Sequence, residues 1–282
     1  MPELPEVETT KAGIAPHIQD QKIRKLDVRQ AKLRWPIPAD LAGLVKNQTV
    51  LAVRRRAKYL LIDIGSASTA TKSETLKGTI IIHLGMSGSL RVIEGKVPPP
   101  EKHEHFDICL SNKITLRFTD PRRFGACVWQ AADADSNLLD HLGPEPLSDD
   151  FNNDYIFNRS RKRTSAIKTF IMDQKIVVGV GNIYASESLF LSGINPKKAA
   201  GKVSKQKYTE LTHAIKQVLE KAIADGGTTL KDFVGSDGKP GYFAQQLRVY
   251  GRAGEPCITC DTPIKQITQG QRSTFYCPKC QK

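Results

Sequence analysis

Cys257-Ile258-Thr259-Cys260 and Cys277-Pro278-Lys279-Cys280, with sixteen residues between them, decide how the C-terminal part of this chain folds. Each Cys-x2-Cys pair can sit on a tight turn and present two thiolates to one ion, and two pairs at this separation match the four-cysteine zinc pattern. Redox pairs or disulfides are the alternatives. A unit of about 35 residues has too little core to fold unaided, so a metal would supply the missing stability. Four ligands leave no open coordination position, so one structural Zn2+ is expected. Between the pairs, Gln271-Arg272-Ser273-Thr274-Phe275 alternates like one strand of a hairpin, with Arg272 near its tip. Such a hairpin can push an arginine into a nucleic-acid groove; a solvated arginine accounts for the same residues.

Working back from the cysteines, the hydrophobic period is helical between about 135 and 225. Residues 164–173 and 183–192 read as two short helices joined by the turn Gly179-Val180-Gly181-Asn182, with Gly193 as a C-terminal cap. Over 204–224, Leu211, Ile215, Val218, Leu219 and Ile223 recur at helical spacing, and Gly226-Gly227 end that helix. Residues 226–247 hold Ser-Asp-Gly and Lys-Pro-Gly turns and read as a loop. Before 131, the β-branched and apolar runs at 50–64, 79–93, 106–110, 113–118 and 126–130 read as strands. Residues 65–78 read as a polar loop and 95–105 as a proline-rich one. One helix opens the chain, with Pro5 at its first position, acids in its first turn and Val7, Ala12 and Ile14 on a shared face. Cys109 and Cys127 stand alone in strand-like segments and are expected in the core.

The 282 residues carry 42 Lys and Arg against 29 Asp and Glu, a net charge of +13, which favours a polyanionic partner. A merely soluble basic protein meets the same count. No apolar run approaches the roughly 18 residues a bilayer crossing needs. The opening MPELPEVETT carries acids where a secretory signal is basic and then apolar. A cytoplasmic, nucleoid-associated protein with no membrane partner is the expectation. Removal of Met1 would expose Pro2 as a secondary amine with a pKa of about 8, partly unprotonated near neutrality and able to attack an electrophilic carbon. Glu3 and Glu6 stand close enough to act as general acid or base. Many proteins begin Met-Pro, and acids at a helix start also simply favour its dipole.

Taken together, PELPEVET (2–9), RRAKYLL (55–61), HLGMSG (83–88), TDPRRFG (119–125), LGPEPLSDDF (142–151), VVGVGNIYASESLF (177–190), GGTTLKDF (226–233), SDGKPGYFAQ (236–245) and the four-cysteine unit resemble the bacterial formamidopyrimidine-DNA glycosylase family from residue 2 to residue 282. The resemblance implies an α+β multidomain chain. A β-rich catalytic domain, a β-sandwich with flanking helices, would span 1–131. A helix-two-turn-helix DNA-binding domain with a lesion-capping loop would span 132–247, and a zinc-finger hairpin 248–282. It implies a monomer acting on damaged double-stranded DNA held in a cleft between the first domain and the rest, as a glycosylase and AP lyase that excises 8-oxoguanine and formamidopyrimidines.

In that reading Pro2 attacks C1′, Glu3 is the acid/base residue, Lys58 assists base release and proton transfer, and Arg272 holds lesion phosphates and serves δ-elimination. Met86, Arg122 and Phe124 fill the void left by the extruded base. Extrusion costs a few kcal/mol, so something must occupy the hole. His83, His103, Arg163, Lys168 and Asn182 are further DNA-contact candidates. Asn182 stands at a helix start, where free N–H groups favour phosphate. Cys257, Cys260, Cys277 and Cys280 hold the zinc. Two features depart from the family pattern: the longer polar insertion at 65–78 and Lys102-His103-Glu104-His105. The alternatives are an endonuclease VIII-like glycosylase for oxidised pyrimidines and a non-catalytic zinc DNA-binding protein. HLGMSG, PRRFG and PELPEVE favour the purine branch; Pro2, Glu3 and Lys58 together argue against the binding protein.

Overall fold

The computed structural model describes residues 2–68, 73–134, 138–227 and 246–282. They form two compact units. Residues up to Asp140, with Gly226 and Gly227, make the first; His141–Asp225 and the described residues from Gln246 onward make the second.

The first unit opens with α1 (Leu4–Ile18). It buries Leu4, Val7, Ile14 and Ile18, a stripe with helical spacing. Ala12, expected on that face, is exposed: it lies five residues from Val7, well round the helix. β1 (Ile23–Val28) and the short α2 (Leu41–Val45) follow, then β2 (Thr49–Arg56), β3 (Tyr59–Ser68), β4 (Ser73–His83), β5 (Ser89–Glu94), β6 (Glu104–Leu110), β7 (Ile114–Thr119) and β8 (Ala126–Ala131). Among the described residues these strands make two four-stranded sheets, ordered β1-β6-β7-β5 and β2-β3-β4-β8, with every pairing antiparallel.

Alternation decides which face of each strand is buried. Leu60, Ile62 and Ile64 of β3, Ile80 and Ile82 of β4, Phe106 and Ile108 of β6, and Leu116 and Phe118 of β7 share one core with α1. Phe106 and Phe118 pair across the strands and stack at 4.8 Å. The expected polar loop at 65–78 is corrected: β3 runs to Ser68 and β4 starts at Ser73, so most of it is a paired hairpin. Serine and threonine suit strands when a partner strand supplies the hydrogen bonds. Cys127 is buried, and burial pushes its thiol up to about 12; Cys109 is only half-buried.

The second unit contains α3 (Asn153–Ser160), α4 (Ile167–Ile171), α5 (Asn182–Leu191) and α6 (Lys205–Ala224), then β9 (Lys265–Gln269) and β10 (Arg272–Tyr276). Asn152 and Ser204 cap α3 and α6, each side chain accepting a backbone N–H three residues on. Gly193 takes the left-handed conformation expected of a cap, φ 64°. α4 and α5 are the two short helices expected on either side of the Gly179–Asn182 turn. β9 and β10 form the expected hairpin, closed by Gly270 and Gln271 at φ 54° and 60°. Among the described residues no helix is long and apolar enough to cross a membrane.

Candidate active site

Pro2 and Glu3 are buried at the start of α1. The Glu3 N–H donates to Glu6 Oε2 at 2.7 Å within a reciprocal capping box, which fixes the backbone beside Pro2. Lys58 lies in the two-residue turn that joins β2 to β3; Ala57 before it has φ 54°, and the closing pair is Arg56 with Tyr59. The turn is itself buried, Lys58 being only 6% exposed. One turn farther along α1, Glu8 accepts from Arg55 Nε at 2.6 Å and also from Lys11; Arg55 in addition donates to Ala57 O at 2.9 Å. Burial pushes the Glu8 carboxyl up, but the two cations outweigh it and hold it below its ordinary value. Arg55 thus clamps the helix that carries Pro2 and Glu3 to the turn that carries Lys58.

His83 pairs with Tyr59 across β3 and β4, its ring 4.9 Å away. Its Nδ1 accepts the Gly85 N–H at 2.9 Å, so the neutral ring carries its proton on Nε2. Burial first, then the charges of Arg34 and Lys58, lower its pKa to about 4, against a smaller opposing effect of Asp120. A neutral His83 can donate one hydrogen bond but offers no charge to a phosphate.

Met86 is half-buried on the turn after β4, where Gly85 has φ 68°. Arg122 and Phe124 are exposed on the turn between β7 and β8, the guanidinium 4.9 Å from the ring centre. His103 lines a groove of about 530 Å³ with Arg29, Lys102 and Arg123.

Two residues not singled out from sequence belong here. Arg34 donates its N–H to Gly125 O at 3.0 Å, and its charge bears on both Tyr59 and His83. Asp120 is fully buried between the Met86 and Arg122 turns. The only local signal for Asp120 was its place before Pro121.

In the second unit the four cysteine Sγ atoms lie within 4.8 Å of one another, with separations of 3.4, 3.5 and 3.9 Å among three of the pairs. A tetrahedron with Zn–S of about 2.3 Å has edges of about 3.8 Å, so the donor set fits zinc; a disulfide needs about 2.05 Å. Backbone N–H groups of Thr259 and Cys280 point at Cys257 and Cys277 Sγ, the orientation that supports thiolates. One structural zinc ion, bound here, would fix the root of the hairpin. Arg272 stands exposed at its tip.

Lys168 is 2% exposed and donates to Asn182 Oδ1 at 2.6 Å, Thr274 Oγ1 at 2.8 Å and Ser273 O at 3.1 Å. Asn182 Nδ2 also donates to Ser273 O, at 2.9 Å. These two residues therefore hold the strand next to Arg272. Glu187 of α5 accepts the N–H groups of Arg248, Val249 and Tyr250. Within the basic run at 161–168, Arg161 stacks on Phe157 at 3.9 Å and donates to Gly201 and Val203 carbonyls, whereas Arg163 is exposed.

Residues 1–127 match the formamidopyrimidine-DNA glycosylase N-terminal domain, 142–234 the H2TH domain of the same glycosylase, and 254–282 the zinc finger found in FPG and IleRS. Formamidopyrimidine-DNA glycosylases from Alteromonas mediterranea and Saccharophagus degradans are 56% and 54% identical, with the whole of each chain covered. A Lactococcus lactis Fpg variant bound to Fapy-dG DNA superposes with a TM-score of 0.88 at 31% identity over both full chains. The Thermus thermophilus MutM (FPG) protein does so with 0.86 at 33%, over 99% of this chain and 98% of that one. A two-sheet β unit, a helix-two-turn-helix and a four-cysteine hairpin thus define a zinc-bearing DNA glycosylase of base excision repair. The chain belongs to the formamidopyrimidine-DNA glycosylase family, for which AP-lyase activity is characteristic.

Proposed function

We propose that this enzyme excises 8-oxoguanine and formamidopyrimidines from duplex DNA through Pro2 and then nicks the strand. The supporting observation is the clamp from Glu8 through Arg55 to Ala57, which joins the buried Pro2–Glu3 start of α1 to the Lys58 turn. After removal of Met1, the Pro2 nitrogen attacks C1′, the C1′–N9 bond breaks, and the base leaves with the electron pair and takes up a proton. The Pro2 nitrogen gives up its proton, the C1′–O4′ bond opens as O4′ takes up a proton, and the resulting cationic imine acidifies the C2′ proton; its removal expels the 3′ phosphate, and a second elimination expels the 5′ phosphate.

Glu3 supplies or removes protons beside the nucleophile, and Lys58 serves base release and proton transfer. Arg272 binds the lesion phosphates. Met86, Arg122 and Phe124 occupy the vacated stack, with Arg122 donating to the acceptors of the orphaned cytosine. His83, His103 and Arg163 contact the backbone. Asn182 and Lys168 serve the same interface, Lys168 by positioning the Arg272 strand.

The division into 1–131, 132–247 and 248–282 belongs to the same reading. So does action as a cytoplasmic, nucleoid-associated monomer. The lesion-capping role falls on 226–247, of which 228–245 lie outside the described residues.

Borohydride trapping on an 8-oxoguanine:cytosine duplex tests the chemistry. A covalent adduct on the N-terminal peptide, with an intact mass lacking Met1, is expected; an adduct on an internal lysine overturns the role of Pro2. A panel of single-lesion duplexes tests the substrate. A Lactococcus lactis Fpg has been solved with oxidised-pyrimidine DNA. Faster cutting of thymine glycol than of 8-oxoguanine would therefore move this enzyme to the pyrimidine branch.

A further inference from the structure

A buried carboxylate in the first unit has no part in the chemistry above. Asp120 Oδ1 accepts from Ser87 Oγ at 2.7 Å and from the Arg122 N–H at 3.2 Å; Oδ2 accepts the Gly125 N–H at 2.8 Å. Its own N–H donates to His103 O at 2.9 Å, and its carbonyl accepts from His105 Nε2 at 2.7 Å. A carboxylate is costly to bury unless donors surround it, and here three do.

All three donors belong to the two turns that carry Met86 on one side and Arg122 and Phe124 on the other. Those turns meet backbone to backbone. A Cβ at Gly85 would lie 2.5 Å from Gly125 N, and one at Gly125 would lie 3.0 Å from Asp120 Oδ2. Glycine at both positions is what lets the two backbones come this close. Within the second turn, Arg123 adopts φ 56° and bonds to Asp120 O at 3.2 Å, which leaves Arg122 free to lie over Phe124.

We propose that Asp120 is the positioning residue of lesion recognition, locking the Met86 turn to the Arg122–Phe124 turn so that the three side chains enter the vacated stack as one rigid wedge. This rests on the void-filling roles given above. Without the lock, Arg122 would meet the orphaned base in a spread of orientations and lose discrimination before it lost contact.

Asp120→Asn keeps the volume but puts an amide N–H₂ where a carboxylate oxygen accepted, which weakens either the Ser87 link to the Met86 turn or the links that shape Asp120's own turn. Ser87→Ala removes a single link and leaves the carboxylate with two backbone donors. The readout is the ratio of cleavage rates for 8-oxoguanine opposite cytosine and opposite adenine, with KM for duplex. Borohydride trapping on a single-stranded abasic oligonucleotide, which has no opposite base, is measured alongside.

The ratio is expected to fall about tenfold in Asp120→Asn, within the range a bidentate base contact supplies. In Ser87→Ala it falls about threefold, as for one lost hydrogen bond. KM should rise in both while single-strand trapping changes little. Wild-type discrimination in Asp120→Asn overturns the inference. So does single-strand trapping that falls in step with duplex cleavage, because Asp120 would then serve the fold alone. A wild-type enzyme with no preference for cytosine overturns the void-filling reading and the inference with it.

Discussion

Lys58 lies in a two-residue hairpin turn between β2 and β3, and Arg272 begins the strand after a two-residue turn between β9 and β10. The local geometry is alike. The anchoring is not. Beneath Lys58 lies a large shared core that includes Leu60, Ile62, Ile80 and Phe118, and its turn is buried. Beneath Arg272 lies a small cluster of Val249, Ile264, Phe275 and two cysteines against Phe190 of α5, with polar latches from Lys168 and Asn182. A cation set in a large core is placed by packing and can be held dry. A cation on a small hairpin is placed by a metal and stays in water, where it can reach for a phosphate.

The sharpest way to break the contrast is to remove the metal. Structural zinc contributes about 10–16 kcal/mol in isolated finger peptides. Cys277→Ser, or chelation, should release zinc and abolish duplex binding and cutting while the β signal of the first unit persists in circular dichroism. Retained tight binding without metal would erase the distinction. Leu60→Ala attacks the other anchor. It should destabilise the first unit by about 2–5 kcal/mol in urea melts and leave the zinc content at one ion per chain.

Smaller effects separate the two surfaces by charge. His83 titrates near 4 in the fold and near 6.5 unfolded, so the unfolded chain binds more protons between those values and stability rises with pH there. Its contribution is complete above 6.5 and is lost as pH falls through about 4. His83→Asn should flatten the pH dependence of Tm across that window; an unchanged slope would mean the ring is charged in the fold. Arg163→Ala should lower the slope of log K against log salt by about 0.9, one phosphate's worth. At neutral pH, His83→Asn should weaken binding with no change in that slope.

The cysteine unit was legible because its information is local: four residue types at fixed spacing, and an alternating strand between them. α6, the two short helices and most strands were legible from their periods. β1 was not, because Ile23 and Leu26 are its buried positions amid charged neighbours. The turn at Ala57-Lys58 was hidden inside a run read as continuous, since neither residue is the glycine or asparagine such turns favour. Pro2, Lys58 and Arg272 came into view only through ordered resemblance. Asp120 stayed unread because its partners, Ser87 and His103, are distant in sequence.

The close approach of Gly85 to Gly125 bears on how this enzyme could be re-engineered. Because the two loops meet through their glycine backbones and the Ser87–Asp120 hydrogen bond, the tips they display are separable from their mount. Substitutions at Met86 or Phe124 should be well tolerated and could retune which lesion or partner base is accepted. A side chain at Gly85 would force the loops apart, and one at Gly125 would run into the Phe118 ring and the His83 carbonyl. In a saturation library, variants with new specificity should cluster at the tips, and the mount should return almost only inactive clones.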